Sequence, residues 1–139
     1  MKITQSLALL ATRLILAYGF YGPAKMKWES IEDVASWFAD LGIPLPTLNA
    51  YMSASFEMLG VILLALGLFT RWISIPLMFI MLVAIKTAHW ENGFEAGNNG
   101  FEIPLYYLIM LFTLLAFGGG KISVDEWIKA KWEKIARYL

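Results

Sequence analysis

Residues 48–88 read LNAYMSASFEMLGVILLALGLFTRWISIPLMFIMLVAIKTA, with Glu57, Arg71 and Lys86 as the only charged side chains. Ile, Leu, Phe and Met fill every helical face on both sides of the Gly67–Arg71 break. A helix of a soluble bundle instead keeps one apolar stripe opposite a charged face. Each half is near the ~20 residues a helix needs to cross a hydrocarbon core. The short Thr70-Arg71 turn therefore predicts an antiparallel transmembrane hairpin.

Working outward, Leu7–Ala24 and Ile103–Gly118 are apolar in the same way and flank the two halves, Leu48–Phe69 and Trp72–Ala88. The expected fold is an all-α membrane protein: one integral membrane domain over 1–139, built as an antiparallel bundle of four transmembrane helices. The third and fourth spans are at the short end of the range. Composition agrees. Of the 139 residues, 59% are hydrophobic and 16% charged, against ~25% charged in an ordinary globular chain. The formal net charge is zero, and the absence of a basic stripe argues against a nucleic-acid partner. No cysteine is present, which excludes disulfides, thiolate metal sites and cysteine redox chemistry in this chain. Lys2 and the small residues Gly22-Pro23-Ala24 give the first stretch some likeness to an export signal. Arg13 inside the apolar run argues instead for a retained helix.

Basic residues assign the sides. With a cytoplasmic N-terminus, Lys2, Arg71, Lys121, Lys129, Lys131, Lys134 and Arg137 lie inside. Lys25, Lys27 and Lys86 lie outside among Glu29, Glu32, Asp33, Asp40, Glu91, Glu95 and Glu102. Trp28, Trp37, Tyr51, Trp90 and Tyr106 would form an outer aromatic belt, and Trp72, Trp127 and Trp132 an inner one. The expectation is a multi-pass protein of a bacterial-type inner membrane with both termini cytoplasmic.

Two further helices are expected to lie on the membrane. Ser30-Ile31-Glu32-Asp33 reads as a helix start, Ile31, Val34, Phe38 and Leu41 recur at helical spacing, and Gly42 with Pro44 ends the element. This outer amphipathic helix (31–41) would cover the bundle as a lid. Ser123-Val124-Asp125-Glu126 is a capping box opening a helix over 124–138. There Ile128, Trp132, Ile135 and Leu139 share a face surrounded by Lys129, Lys131, Lys134 and Arg137. That pattern suits an interfacial helix on an anionic leaflet, with docking of a soluble partner as the alternative.

A charge at the bilayer centre costs at least ~2.5 kcal/mol, so Arg13 and Glu57 need partners. Arg13 shares its face with Ala17, Phe20 and Ala24, and Glu57 with Ser53, Gly60, Leu64 and Gly67. Small residues beside both charges would let the helices approach. An Arg13–Glu57 ion pair facing the bundle interior is expected, either as a structural clamp on helix register or as part of a polar pocket. Further polar groups collect at the outer mouth: Lys86 and His89 on the third span, Glu102 and Tyr106 on the fourth, with Tyr21 on the first. Together these seven residues form the expected interior polar pocket. His89 is the only histidine. Ligation with Glu91, Glu95 or Glu102 is conceivable, but a loop histidine beside Trp90 is the commoner situation, and scattered methionines are ordinary packing residues. No metal is expected. Phosphate-loop, nucleophile-elbow and His-Glu-x-x-His motifs are absent.

Several motifs resemble one family. Arg13-Leu14 followed by Gly19-Phe20-Tyr21-Gly22-Pro23-Ala24-Lys25 resembles the opening of DoxX-like proteins, in which an Arg and a later Gly-x-x-Lys mark helix one. Glu57-Met58-Leu59-Gly60, Leu66-Gly67-Leu68 and the Arg71 turn resemble that family's second helix and hairpin. Gly118-Gly119-Gly120-Lys121-Ile122-Ser123-Val124-Asp125 is similar to its end, where a glycine-rich stop precedes Ser-x-Asp. The His89-Trp90-Glu91-Asn92-Gly93-Phe94 loop with Gly100-Phe101-Glu102 resembles a branch associated with maturation of copper-binding peptides. The resemblance implies a four-helix inner-membrane protein, often encoded beside redox or maturation enzymes. Some relatives are linked to quinone-coupled thiosulfate oxidation, and others act as receptors or assembly factors.

Two function classes follow. One is an accessory subunit of a redox or maturation system, with a quinone as the cofactor to consider: tyrosine or Lys86 would donate to its carbonyls, and Glu57 or Glu102 would relay protons. The other is a non-catalytic assembly, export or scaffold protein that binds a partner protein or small peptide. The chain offers groups that assist chemistry but no reactive centre of its own, which favours an accessory role over a stand-alone enzyme. Expected partners are the lipid bilayer and a membrane or soluble protein, and the small-residue faces permit a homo-oligomer.

Overall fold

A computed structural model describes residues 1–132; Lys134, Ile135, Arg137 and Leu139 of the expected interfacial helix lie outside the described residues. The described chain is helical, without strands. Helix α1 (Ile3–Glu29) leads through α2 (Ile31–Asp40) to α3 (Pro46–Leu66), and α4 (Thr70–Ala84) returns antiparallel to α3. The α4 rod continues as one wide π turn, Ile85–His89, and a tight 3-10 turn, Trp90–Asn92. Helix α5 (Glu102–Phe117) and the short α6 (Val124–Lys131) complete it.

α1 packs mainly on α3, α4 on α5, and α2 on α3. The start of α1, the α3–α4 turn and the α5–α6 loop meet at one end, termed proximal here. The α1–α2 and α4–α5 connections lie at the other, distal end. The first helix runs beyond the expected 7–24 at both ends, taking in residues 3–6 after an extended Lys2 N-cap and residues 25–29 past the apolar stretch. α3 begins two residues earlier than expected, on Pro46, whose fixed φ and missing N–H suit a first helical turn.

The distribution of side chains is that of a membrane protein. Arg13 (1% exposed), Glu57 (2%), Ser6, Thr70 and Ser74 are buried, while Phe79 is 67% exposed and Phe112 59%. Water would reverse that arrangement; lipid favours it, because unpaired polar groups are costly in hydrocarbon and apolar ones are not. Among the described residues, three helical stretches are long and apolar enough to cross a membrane: Ile3–Glu29, Pro46–Leu66 and Thr70–Asn92. α5, at 16 residues, is shorter than the ~20 of a full crossing.

The interior is filled by Leu16, Phe20, Leu64, Leu77, Leu111 and Leu114. Burial adds little driving force between helices in lipid, so close packing takes over. Glycine permits it at two crossings. A Cβ on Gly19 would fall 1.9 Å from the Tyr107 hydroxyl, and one on Gly60 2.8 Å from Leu77. α2 rests on the start of α3 through Val34, Phe38 and Ala50. Its expected first-turn residue Ser30 sits at the N-cap position but makes no side-chain capping bond. Ser123 does: its hydroxyl accepts the Glu126 N–H at 3.2 Å, the Ser123 half of the expected capping box.

Candidate functional site

Helical side chains lean toward the N-terminus of their own helix, and this separates the two buried charges. α1 begins at the proximal end, so Arg13 leans proximally. α3 begins at the distal end, so Glu57 leans distally. The expected Arg13–Glu57 pair does not form. Glu57 instead takes Lys27 from the last turns of α1, with Lys27 Nζ donating to Glu57 Oε1 at 2.7 Å. The two side chains are 12% and 2% exposed. Lys27 leans back along α1 to reach it. The other carboxylate oxygen, Glu57 Oε2, is buried without a hydrogen-bond partner among the described residues. Trp28 closes the neighbourhood: its indole N–H donates to the Ala54 carbonyl at 3.2 Å, and its ring stands edge-on to Tyr51.

Arg13 enters a different network. One guanidinium nitrogen donates to the Leu64 carbonyl at 3.1 Å and the other to the Ile122 carbonyl. The first acceptor is one of the last-turn carbonyls of α3, which have no partner within the helix. Gly67 (φ +71) makes room, since a Cβ there would stand 2.3 Å from the guanidinium. The Asp125 carboxylate lies within electrostatic reach and accepts the Phe69 and Thr70 N–H groups at 2.8 and 3.3 Å. Asp125 thereby caps the start of α4 and holds Phe69 at its left-handed φ of +49°, while its own N–H donates to the Gly67 carbonyl at 3.0 Å. Arg13 and Asp125 thus bind α1, the α3–α4 turn and the α5–α6 loop into one proximal knot.

The remaining expected residues do not join either charge. Tyr106 donates to Glu102 Oε2 at 2.9 Å, and Glu102 Oε1 accepts the Ala96 N–H at 3.0 Å. His89 Nδ1 meets the Asn99 carbonyl at 2.9 Å, to which Asn92 also donates. These bonds, with Trp90 stacked on Phe101 at 5.1 Å, fold residues 89–102 into a compact distal cap. Lys86 and Tyr21 are exposed on the helix surfaces. Lys86 lies on the π turn, a geometry found often at functional sites. Among the described residues, no group of three or more His, Asp or Glu side chains converges as a metal site.

The seven residues are therefore dispersed: Glu57 in a buried pair with Lys27, Arg13 in the proximal knot, His89, Glu102 and Tyr106 in the distal cap, and Tyr21 and Lys86 on exposed helix surfaces. Tyr106 is committed to Glu102, Glu57 is enclosed with Lys27, and neither of the two cavities described below is lined by these residues. Among the described residues, the Tyr106–Glu102 pair, Lys86 and Glu57 lie in three separate surroundings. The residues missed from sequence are Lys27 and Asp125. A signal for Lys27 was present: Arg13, Ala17, Phe20, Ala24 and Lys27 follow one helical stripe.

A profile of the DoxX family matches residues 8–90. Three curated proteins are similar over most of their length. A protein of Haemophilus influenzae described as uncharacterized is 30% identical over 135 residues, covering 91% of this chain and 87% of its own. A Bacillus subtilis protein named "Putative oxidoreductase CatD" is 28% identical over 86% of this chain and 85% of its own. The Escherichia coli "Inner membrane protein YphA" is 30% identical over 81% of this chain and 83% of its own. No solved structure matches.

Proposed function

Because this chain belongs to the DoxX family of membrane proteins, we propose that it serves as an accessory inner-membrane subunit of a redox system, with Lys27–Glu57 as its protonatable site. The observation that carries the reading is the Glu57 carboxylate: buried, paired through one oxygen and unpartnered at the other among the described residues. Such a group is equipped to take and release a proton inside the bundle. The B. subtilis relative's name supports the redox class, and the E. coli relative's name supports the inner membrane. In this reading electron transfer itself lies in a partner: the chain has no cysteine, and the groups expected to meet a quinone are dispersed among the described residues. In this reading α5 is the fourth span, and the basic proximal end, with both termini, faces the cytoplasm.

The test compares quinone reduction by membranes lacking the protein with membranes carrying wild type, Glu57→Asp or Glu57→Gln, alongside co-purification in mild detergent. A redox partner that co-purifies, with a rate that falls in Glu57→Gln and is retained in Glu57→Asp, is expected. A folded, partner-free chain whose removal leaves the rate unchanged would overturn the proposal. One observation favours a second reading, a scaffold for a partner protein. An open groove of about 460 Å3 between α2 and the start of α3, lined by Ile31, Ala35, Ala39, Pro46 and Tyr51 among others, faces outward at the distal end.

A further inference from the structure

The proximal end holds a second cavity, of about 250 Å3, between the first turn of α4, the glycine loop after α5 and the first turns of α6. Arg71, Lys121 and Lys129 line it, all three exposed and none in a salt bridge with another described residue. Two carboxylates also border it, and they are unequal. Asp125 is buried, with both oxygens engaged by the Phe69 and Thr70 N–H groups and Arg13 within electrostatic reach. Glu126 is exposed. Cations therefore prevail around the cavity.

Its floor is backbone. Gly118 and Gly119 are buried, and Gly118 adopts φ +76. A Cβ there would stand 3.1 Å from Arg71 Nε. The glycine thus lets the guanidinium lie directly against the loop, which places a planar donor at the cavity wall. Trp72 and Trp127, 56% and 54% exposed, stand beside Arg71 and Glu126 in sequence. Exposed tryptophans of this kind mark the headgroup level of a bilayer, where phosphate is the abundant anion.

The geometry points to a phosphate-binding site in this cavity, which takes a phosphate ester through Arg71, Lys121 and Lys129. Arg71 supplies a forked pair of donors matched to two phosphate oxygens, and the lysines act as point charges. The same chemistry is offered by the headgroup of an anionic phospholipid and by a soluble phosphate ester.

Two arms separate these sources. Native mass spectrometry of the full chain, equilibrated with equal phosphatidylglycerol and phosphatidylcholine, reads lipid retention. Thermal melting in neutral detergent with glycerol 3-phosphate reads the soluble ester. Preferential retention of phosphatidylglycerol, weakened about tenfold in R71Q/K129Q and unchanged in the distal control K25Q, assigns the site to lipid. A melting shift with glycerol 3-phosphate, lost in the same variant, assigns it to a soluble ester. R71K, which keeps the charge but loses the fork, should fall between wild type and R71Q/K129Q and controls for folding. The proposal is overturned if wild type shows neither response, if R71Q/K129Q retains them, or if K25Q abolishes them equally.

Discussion

Lys27 and Glu57 meet because each leans toward the start of its own helix, and the helices run in opposite directions. Breaking a buried ion pair by removing one partner leaves an uncompensated charge and costs about 3–5 kcal/mol, whereas replacing both by apolar groups is often near neutral. Lys27→Met and Glu57→Leu should each lower the melting temperature in detergent, and the double variant should recover most of the loss. A double variant as unstable as the sum of the singles would exclude the pairing. Arg13 and Glu57 should behave independently. Arg13→Lys loses the geometry that reaches both Leu64 and Ile122, at about 1.5–3 kcal/mol, and this loss should add to that of Glu57→Leu, as for distant sites. At this scale the sequence was half legible. Spacing identified both buried charges and their small-residue faces. It did not identify their partners, because a helical wheel carries no information about which way along the axis a side chain leans.

The helices themselves were more legible than their ends. Apolar stretches located the long elements, and Ser123 announced α6 by its capping box. The π turn at Ile85–His89 was not foreseen, since nothing in its composition separates it from the apolar helix before it. Nor was the capping of α4 by a residue 55 to 56 positions away, because capping rules read only local sequence. Asp125→Ala should therefore destabilise the α3–α4 turn as well as α6. The expected cost is about 2 kcal/mol or more, typical of a lost cap plus buried N–H groups left unpaired, with new proteolytic cleavage between residues 66 and 70. Unchanged protection of that turn would argue against the cap. At the α1–α5 crossing, Gly19→Ala should cost about 1–3 kcal/mol by overpacking. Tyr107→Leu should restore part of it, a suppression that melting curves can read.

For the whole molecule, the inversion of polarity followed directly from composition: too few charged residues to coat a soluble particle leave apolar faces for lipid. The lack of cysteine makes sidedness directly measurable, because a single introduced cysteine is the only thiol. With both termini cytoplasmic, Glu91→Cys should react with a membrane-impermeant maleimide in spheroplasts, and Lys2→Cys only after the membrane is opened. The opposite pattern would invert the assigned orientation. The proximal knot also has a consequence for biosynthesis. Arg13 leaves the ribosome 109 residues before Ile122, one of its two carbonyl acceptors, and well before Asp125. Until then it is a guanidinium held in an unfinished bundle. A chain arrested at residue 117 should be cleared by membrane proteases, and Arg13→Leu should slow that clearance. That outcome would make completion of the α5–α6 loop a condition for a stable product.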